Sequence, residues 1–251
     1  MLLRDSIAAL AALSFVACGP ASSNQRWGPD TTERTSKPKA KASASAEAET
    51  EDEPAMSAEE QNQIRRAERV AARLLDGKVG WLPSKKAFLV LTAFSEEGTG
   101  TGTTAELLVE RPDPNAPNED GETSLCEPGA ACDGDPDELL RAATDWVLDT
   151  GADSAVILEP VSFSAAAPSA DIGAIGGKLV WARDHLDVVR PKKAPASLPK
   201  LQVEKEWTIK PIAAAPSPAG DLVLVLFDMD PGKKYSEGFN AFVETRLYKV
   251  P

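Results

Sequence analysis

The residue types that build metal sites and catalytic sites are scarce in this sequence. Its 251 residues include one histidine, His185, and three cysteines. A structural zinc site needs four clustered Cys or His ligands, and the sequence has no such cluster. A Ser-His-Asp triad would have to use His185, yet no serine lies in a nucleophile-elbow motif. We therefore predict no metal and no other cofactor, and we place His185 at the surface or at a strand edge.

The sequence also has fewer basic residues than acidic ones. Lys and Arg number 27 against 39 Asp and Glu, which gives a net charge of −12 at pH 7. A nucleic-acid partner requires clustered Lys and Arg that neutralise its phosphates. The same deficit argues against contact between the folded part and anionic lipid head groups. The composition thus excludes nucleic acid as a predicted partner.

The apolar run at the start of the chain, residues 7–17, is too short to span a bilayer. Arg4 precedes it, and it ends in small residues directly before Cys18, as a signal-peptide cleavage site does. Phe15-Val16-Ala17-Cys18 resembles the lipobox of bacterial lipoproteins, with Phe where Leu is usual. The resemblance implies a signal peptide over residues 1–17 and a lipidated Cys18 as the new N-terminus. The alternative is an ordinary signal peptide followed by an incidental cysteine.

Lipidation would place the protein in the cell envelope without a transmembrane helix. Two or three acyl chains on Cys18 hold a protein at a membrane durably, whereas one chain binds marginally. The membrane is then a partner through these chains, and envelope proteins are further candidate partners. Gly19, in place of a retention Asp, permits sorting to the outer membrane or its periplasmic face.

The stretch that follows predicts a disordered linker over residues 18–56. Apart from Trp27 it has almost no large apolar side chain, and it is rich in Ala, Ser, Pro, Lys and Glu. Such a composition cannot bury enough apolar surface to offset the entropy cost of ordering the chain. We expect it to connect the membrane anchor to a globular domain over residues 57–251.

Two helices are predicted in that domain. Ser57-Ala-Glu-Glu60 fits a capping box, an Ala-rich apolar stripe follows at helical spacing, and Gly77 is a suitable stop. Asp135 and Pro136 then mark the start of a second helix that reaches Leu148. Eight segments have strand composition: 86–94, 103–111, 154–163, 177–183, 185–190, 203–210, 221–229 and 240–250. The expected fold class is α+β, a mainly antiparallel sheet of about eight strands with two helices packed on it.

Two strand pairs share a pattern of polar turn, apolar strand, Gly-rich loop and alternating strand. They occupy residues 82–111 and 217–250, and they are either a weak internal repeat or two unrelated hairpins of similar composition. The segment VLVLFDMDPGKKYSEGFNAFV in the second pair resembles the end of an uncharacterised family of predicted secreted bacterial proteins. That resemblance covers one hairpin and implies no activity.

Between the first pair and the second helix lies a long polar loop that holds the other two cysteines. Cys126 and Cys132 are close in sequence, and an oxidising envelope favours a disulfide between them. The nearby Asp133, Asp135 and Asp137 alternate like the start of a calcium loop, but Glu138 stands where the glycine belongs. We therefore predict that these aspartates cap the helix.

Asp149-Thr150-Gly151 resembles the active-site loop of retropepsin-like aspartic proteases. The resemblance implies a dimer in which Asp149 is the catalytic acid/base, Thr150 its hydrogen-bonding partner and Gly151 the turn residue. That family needs a strand before the loop, whereas the helix signals here make Gly151 a C-terminal cap. We therefore predict a non-enzymatic envelope binding or scaffolding lipoprotein, with the dimeric protease as the alternative.

Overall fold

The structure is a computed structural model that describes residues 56–96, 100–113, 115, 118, 121–130, 132–165, 168–203, 207–230 and 242–251. The predicted signal peptide, Cys18 and the linker up to residue 55 lie outside the described residues. Within the described part, no helix has both the length and the apolar character that a membrane crossing requires.

Helix α1 (Ala58–Leu75) begins at Ser57, as the sequence predicts. Glu60 N–H donates to Ser57 Oγ at 3.2 Å, and Ser57 N–H donates to Glu60 Oε2 at 2.7 Å, which completes the capping box. The helix ends at Leu75, and Gly77 stops it just beyond, with a φ of 75° and an N–H that donates to Leu74 O at 3.0 Å. Only glycine adopts this left-handed conformation without strain, so both predicted boundary signals are confirmed.

Helix α2 (Pro136–Asp149) also has the predicted start. Asp135 Oδ1 accepts hydrogen bonds from the N–H groups of Asp137 and Glu138, at 3.0 and 3.2 Å. These bonds satisfy two of the donors that every helix start leaves unpaired. The helical face of α2 packs against α1 and sheet A through buried Ala143, Trp146 and Val147.

Within the described residues, thirteen strands form three antiparallel sheets. Sheet A has the spatial order β4 (Glu122–Cys126), β3 (Gly100–Val109), β2 (Ala87–Glu96), β1 (Val79–Leu82) and β5 (Val156–Leu158). Sheet B has the order β13 (Phe242–Lys249), β12 (Leu222–Asp230), β11 (Thr208–Pro216) and β6 (Val161–Ser162). Sheet C has the order β10 (Ala196–Ser197), β9 (Leu186–Val189), β8 (Gly177–Trp181) and β7 (Ser169–Ile172), with a short 3-10 helix at Gly173–Ile175.

Three hydrophobic cores separate four layers. The first core lies between the two helices and sheet A, the second between sheets A and B, and the third between sheets B and C. Strand β12 contributes to two of them, because Leu222 and Leu224 face sheet A while Val223 and Val225 face sheet C. Strand β12 is therefore apolar on both faces, as its near-continuous apolar run predicts.

The α+β class and the two helices are confirmed, but the number of strands is larger than the predicted eight or so, and they form three sheets. The additional strands are short: β1, β4, β7 and β10 have two to five residues each. An alternation of apolar and polar residues over so few positions cannot be distinguished from the composition of a loop. Strand β4 in particular lies in the segment that the sequence assigns to a polar loop.

Two predicted strands have wrong boundaries. The segment 154–163 is divided between β5 in sheet A and β6 in sheet B, with Pro160 at the crossing, where it costs no ladder hydrogen bond. The segment 203–210 overlaps strand β11 only from Thr208 onward. Strand β11 continues through Pro211 to Pro216, and its register with β12 shifts between Pro211 and Ala213. Composition did not predict this part of the strand, because prolines are uncommon within strands.

Both predicted hairpins form. Strand β2 pairs with β3 from Ala87–Val109 to Glu96–Gly100, and β12 pairs with β13 from Leu222–Lys249 to Met229–Phe242. The sheets have corresponding strand orders, β3-β2-β1-β5 in sheet A and β13-β12-β11-β6 in sheet B. The two hairpins thus occupy equivalent places in two facing sheets.

Candidate functional site

The cysteine loop is closed by a disulfide and fixed to the tip of the β2–β3 hairpin. Cys126 and Cys132 are bonded, with their Cα atoms 5.9 Å apart. Asp133 Oδ2 accepts hydrogen bonds from the N–H of Gly129, at 3.1 Å, and of Thr101 in β3, at 3.2 Å. Asp135 caps α2, but Asp133 instead ties the disulfide loop to β3. The predicted capping role of Asp133 is therefore wrong.

Asp149 does not lie in a loop that follows a strand. It is the exposed last residue of α2, and Thr150 Oγ1 donates back to Trp146 O at 2.8 Å. Gly151 has a φ of 65° and donates its N–H to Leu148 O at 2.9 Å, which is the geometry of a helix C-cap. The resemblance to retropepsin-like proteases requires an extended strand here, so the local geometry does not favour that alternative.

His185 lies between two carboxylates at the β8–β9 turn. Its Nδ1 is 2.7 Å from Asp184 Oδ1, and its Nε2 is 3.5 Å from Asp187 Oδ1. Lys200 Nζ donates to Asp184 Oδ2 at 2.7 Å, and Ser197 Oγ donates to Asp187 Oδ1 at 2.6 Å. Hydrogen bonds, first from Lys200 and then from His185, lower the pKa of Asp184 to about 2. Ser197 bonds to the carboxylate and not to the imidazole, so the group is a chain of polar contacts that includes the Lys200–Asp184 ion pair, and it lacks the geometry of a triad.

A partly buried carboxyl lies between sheets A and B. Glu106 in β3 accepts a hydrogen bond at Oε2 from Thr245 Oγ1 in β13, at 2.5 Å. Burial raises the pKa of Glu106, the Thr245 hydroxyl opposes that shift, and the charges of Glu244 and Glu122 add to it. Sequence reasoning missed this pair, since the two residues are 139 positions apart.

An open groove of about 750 Å³ runs along α1 where α2 approaches it. Helix α1 lines the groove with Asn62, Arg65, Arg66, Glu68, Arg69 and Ala72, and α2 with Leu140. Arg66 Nε is 2.9 Å from Asp153 Oδ2, and Arg69 Nε donates to Arg65 O at 3.1 Å. Among the described residues, the Arg65 guanidinium has no hydrogen bond or ion pair. The groove therefore presents guanidinium groups beside an apolar floor of Ala72 and Leu140.

The signal for this groove was present in the sequence. Arg65, Arg66, Arg69 and Arg73 recur along α1 at intervals of one to four residues. In a chain with a net charge of −12, such a run is a local reversal of sign. Guanidinium groups pair bidentately with carboxylates and phosphates, so this surface suits an anionic partner.

Comparisons with protein-family models, with curated proteins and with solved structures give no match for this chain. Within the part of the chain that the structure describes, no group of three or more His, Cys, Asp and Glu side chains is arranged to hold a metal ion.

Proposed function

We propose that the protein is a lipid-anchored module of the cell envelope that binds a partner through the α1–α2 groove without catalysing a reaction. The observation that carries the proposal is Phe15-Val16-Ala17-Cys18 at the end of the apolar run of residues 7–17. Signal peptidase would leave Cys18 as the N-terminus, and acyl chains on its sulfur and amine would hold the chain at the membrane.

The chain between Cys18 and Ser57 sets how far the domain reaches from the bilayer. Fully extended, it spans at most roughly 140 Å. The domain therefore remains near the membrane, where a low-affinity groove gains from a high local concentration of partners. Helix α1 directly follows the linker, so the groove lies on the described element that is nearest to Cys18 along the chain.

The groove supports binding better than catalysis. Arg65 and Arg69 lie on one exposed side of α1, and Ala72 and Leu140 provide apolar contact between the helices. An acidic segment of an envelope protein with an apolar side chain among its carboxylates is complementary to both features. The net charge of −12 opposes an anionic bilayer as the occupant.

The anchor is tested by labelling cells with radioactive palmitate. The parent chain should incorporate label and sediment with membranes, whereas Cys18→Ser should lose the label and its cleavage by lipoprotein signal peptidase. Cys126→Ser is the matched control, because it removes a cysteine that the proposal does not acylate. An unlabelled parent, or a labelled Cys18→Ser variant, would contradict the anchor.

The groove is tested by capture from envelope extract. We expect Arg65→Glu/Arg69→Glu to retain much less acidic protein than the parent does. The control is Lys192→Glu/Lys193→Glu, which makes the same charge change at exposed residues near sheet C. Equal loss in both double variants would show that net charge, and not the groove, governs capture.

A further inference from the structure

Strand β13 is an edge of sheet B in the described part of the chain, with β12 as its one neighbour. Val250 N–H donates to Asp221 O at 2.8 Å, one position beyond the Leu222–Lys249 pair. Because hydrogen-bonded pairs alternate in an antiparallel ladder, the even-numbered residues of β13 bond to β12. The main-chain N–H and C=O groups of Val243, Thr245 and Leu247 consequently point outward, away from the sheet.

Strand β13 would match a second copy of itself if the two strands ran antiparallel and were centred on Thr245. Residues at equal distances before and after Thr245 would form three matched pairs. The aromatic pair is Phe242 and Tyr248, the aliphatic pair is Val243 and Leu247, and the oppositely charged pair is Glu244 and Arg246. In an antiparallel pair of identical strands centred on Thr245, each residue would face its complement. Such cross-strand pairs contribute roughly 0.2–1 kcal/mol each.

The side chain of Arg246 is incompletely bonded in the single chain. Its Nη1 donates to Glu244 of the same strand and to Thr245 O at 2.8 Å. Its Nε is buried and has no acceptor among the described residues. A second Glu244, brought opposite Arg246 by strand pairing, would supply a carboxylate within reach of this nitrogen.

Sheet A leaves space for an added strand. Strand β13 packs on β2 of sheet A. Its side chains reach the neighbouring β3 side, where Thr245 contacts Glu106 and Lys249 Nζ is 2.8 Å from Glu110 Oε1. Strand β4 is one position further out in sheet A, and none of its residues belongs to the core between sheets A and B. A strand added beyond β13 would lie against the outer strands of sheet A, β3 and β4.

We propose that β13 pairs antiparallel with β13 of a second copy of this chain, across a two-fold axis at Thr245. The two copies of sheet B become one continuous sheet, with about six main-chain hydrogen bonds between the outward groups of the two strands. Glu244 of each copy faces the partner's Arg246, so the interface is isologous and closes as a dimer. Pairing also removes an edge strand that is otherwise open to nonspecific association.

The test uses the full chain, produced in the same cells with two different epitope tags and extracted in mild detergent. Parent copies should co-purify through either tag. When two Glu244→Arg copies pair, the new arginine of each copy faces Arg246 of the other. When two Arg246→Glu copies pair, the new glutamate of each copy faces Glu244 of the other. Each variant expressed as both tagged copies should lose at least roughly tenfold in co-purification, since like charges meet twice at the interface.

The decisive arm combines the two variants. A Glu244→Arg copy and an Arg246→Glu copy restore both opposite-charge pairs between chains, while the pair within each chain stays broken. Co-purification should therefore return to near the parent level, which also shows that both variants are folded. Glu138→Arg and Arg141→Glu break an ion pair on α2 with the same charge changes away from β13, and they should behave as the parent does.

Three results would overturn the proposal. The first is that parent copies do not co-purify, and the second is that the single variants co-purify as well as the parent. The third is that the mixed pair recovers no more than each variant alone, because a register centred on Thr245 requires recovery.

Discussion

Thr245 in β13 donates a hydrogen bond to Glu106 in β3 across the interface between sheets A and B, with 2.5 Å between Oγ1 and Oε2. Burial raises the pKa of Glu106 in spite of this bond. The folded protein thus favours the neutral acid more than the unfolded chain does. The contribution of Glu106 to stability is full below the ordinary pKa of about 4.5 and is lost as the pH rises through the raised pKa.

Glu106→Gln should therefore stabilise the protein at pH 7. The amide oxygen still accepts from Thr245, and the cost of burying a carboxylate disappears. We expect a gain of about 1 kcal/mol in the free energy of unfolding at pH 7, which shrinks toward zero near pH 4. Urea unfolding of parent and variant at both pH values measures the change.

Glu127→Gln is the matched control, since Glu127 is exposed and is not among the charges that shift the pKa of Glu106. It should change stability little at either pH. Thr245→Val removes the donor instead and should destabilise by about 1–3 kcal/mol at pH 7, because the buried carboxylate then lacks its partner. A Glu106→Gln variant that is less stable at pH 7 than the parent would contradict this account.

The disulfide is predicted to stabilise the loop that Asp133 fixes to β3. Cys126→Ser/Cys132→Ser should lower the free energy of unfolding by about 2 kcal/mol, from the entropy of closing a short ring. Amide exchange should accelerate most at Thr101 and Gly129, whose N–H groups bond to Asp133. Acceleration spread evenly over sheet B would show that the disulfide supports the whole fold.

The sequence predicts the two helices well because their signals are local. A capping box at Ser57, a cap at Asp135 and glycines at 77 and 151 each act within one turn of the helix end. Neither the short strands nor the division into three sheets has such a signal. Strand β6, for example, has two residues and is defined by its pairing with Ala213 and Ala214, far away in the sequence.

The candidate sites differ in the same way. The Cys126–Cys132 disulfide could be predicted from the number and spacing of the cysteines. The arginines of α1 could have been recognised by their spacing. The Thr245–Glu106 contact could not be predicted, because it depends on how sheet B lies on sheet A. The self-complementary pattern of β13 is visible in the sequence, but it gains meaning only when β13 is known to be an edge strand.

The Lys200–Asp184 ion pair beside His185 gives a prediction for Asp184. The hydrogen bond from Lys200 is the largest cause of its lowered pKa, so Lys200→Met should raise that pKa from about 2 toward the ordinary 3.8. A lowered pKa contributes stability above pH 3.8, and this contribution is lost as the pH falls toward 2. Titration of the side-chain carboxyl carbon by NMR measures the shift. Lys210→Met, which changes an exposed lysine in β11, should leave Asp184 unaltered.

The helix-cap role of Gly151 distinguishes the two interpretations of the Asp149-Thr150-Gly151 loop. Gly151 has a φ of 65° with nothing within 4 Å of a Cβ atom, so Gly151→Ala should cost about 1 kcal/mol from backbone strain alone. Gly173→Ala is the control, since that site is equally open and its φ is not left-handed. Gly220→Ala should cost more than either, because its Cβ would lie 2.1 Å from Ala174 O. Thermal unfolding should show Gly173→Ala as the most stable variant, Gly151→Ala as less stable and Gly220→Ala as the least stable. A Gly151→Ala variant as stable as Gly173→Ala would remove the argument that the loop is a helix cap.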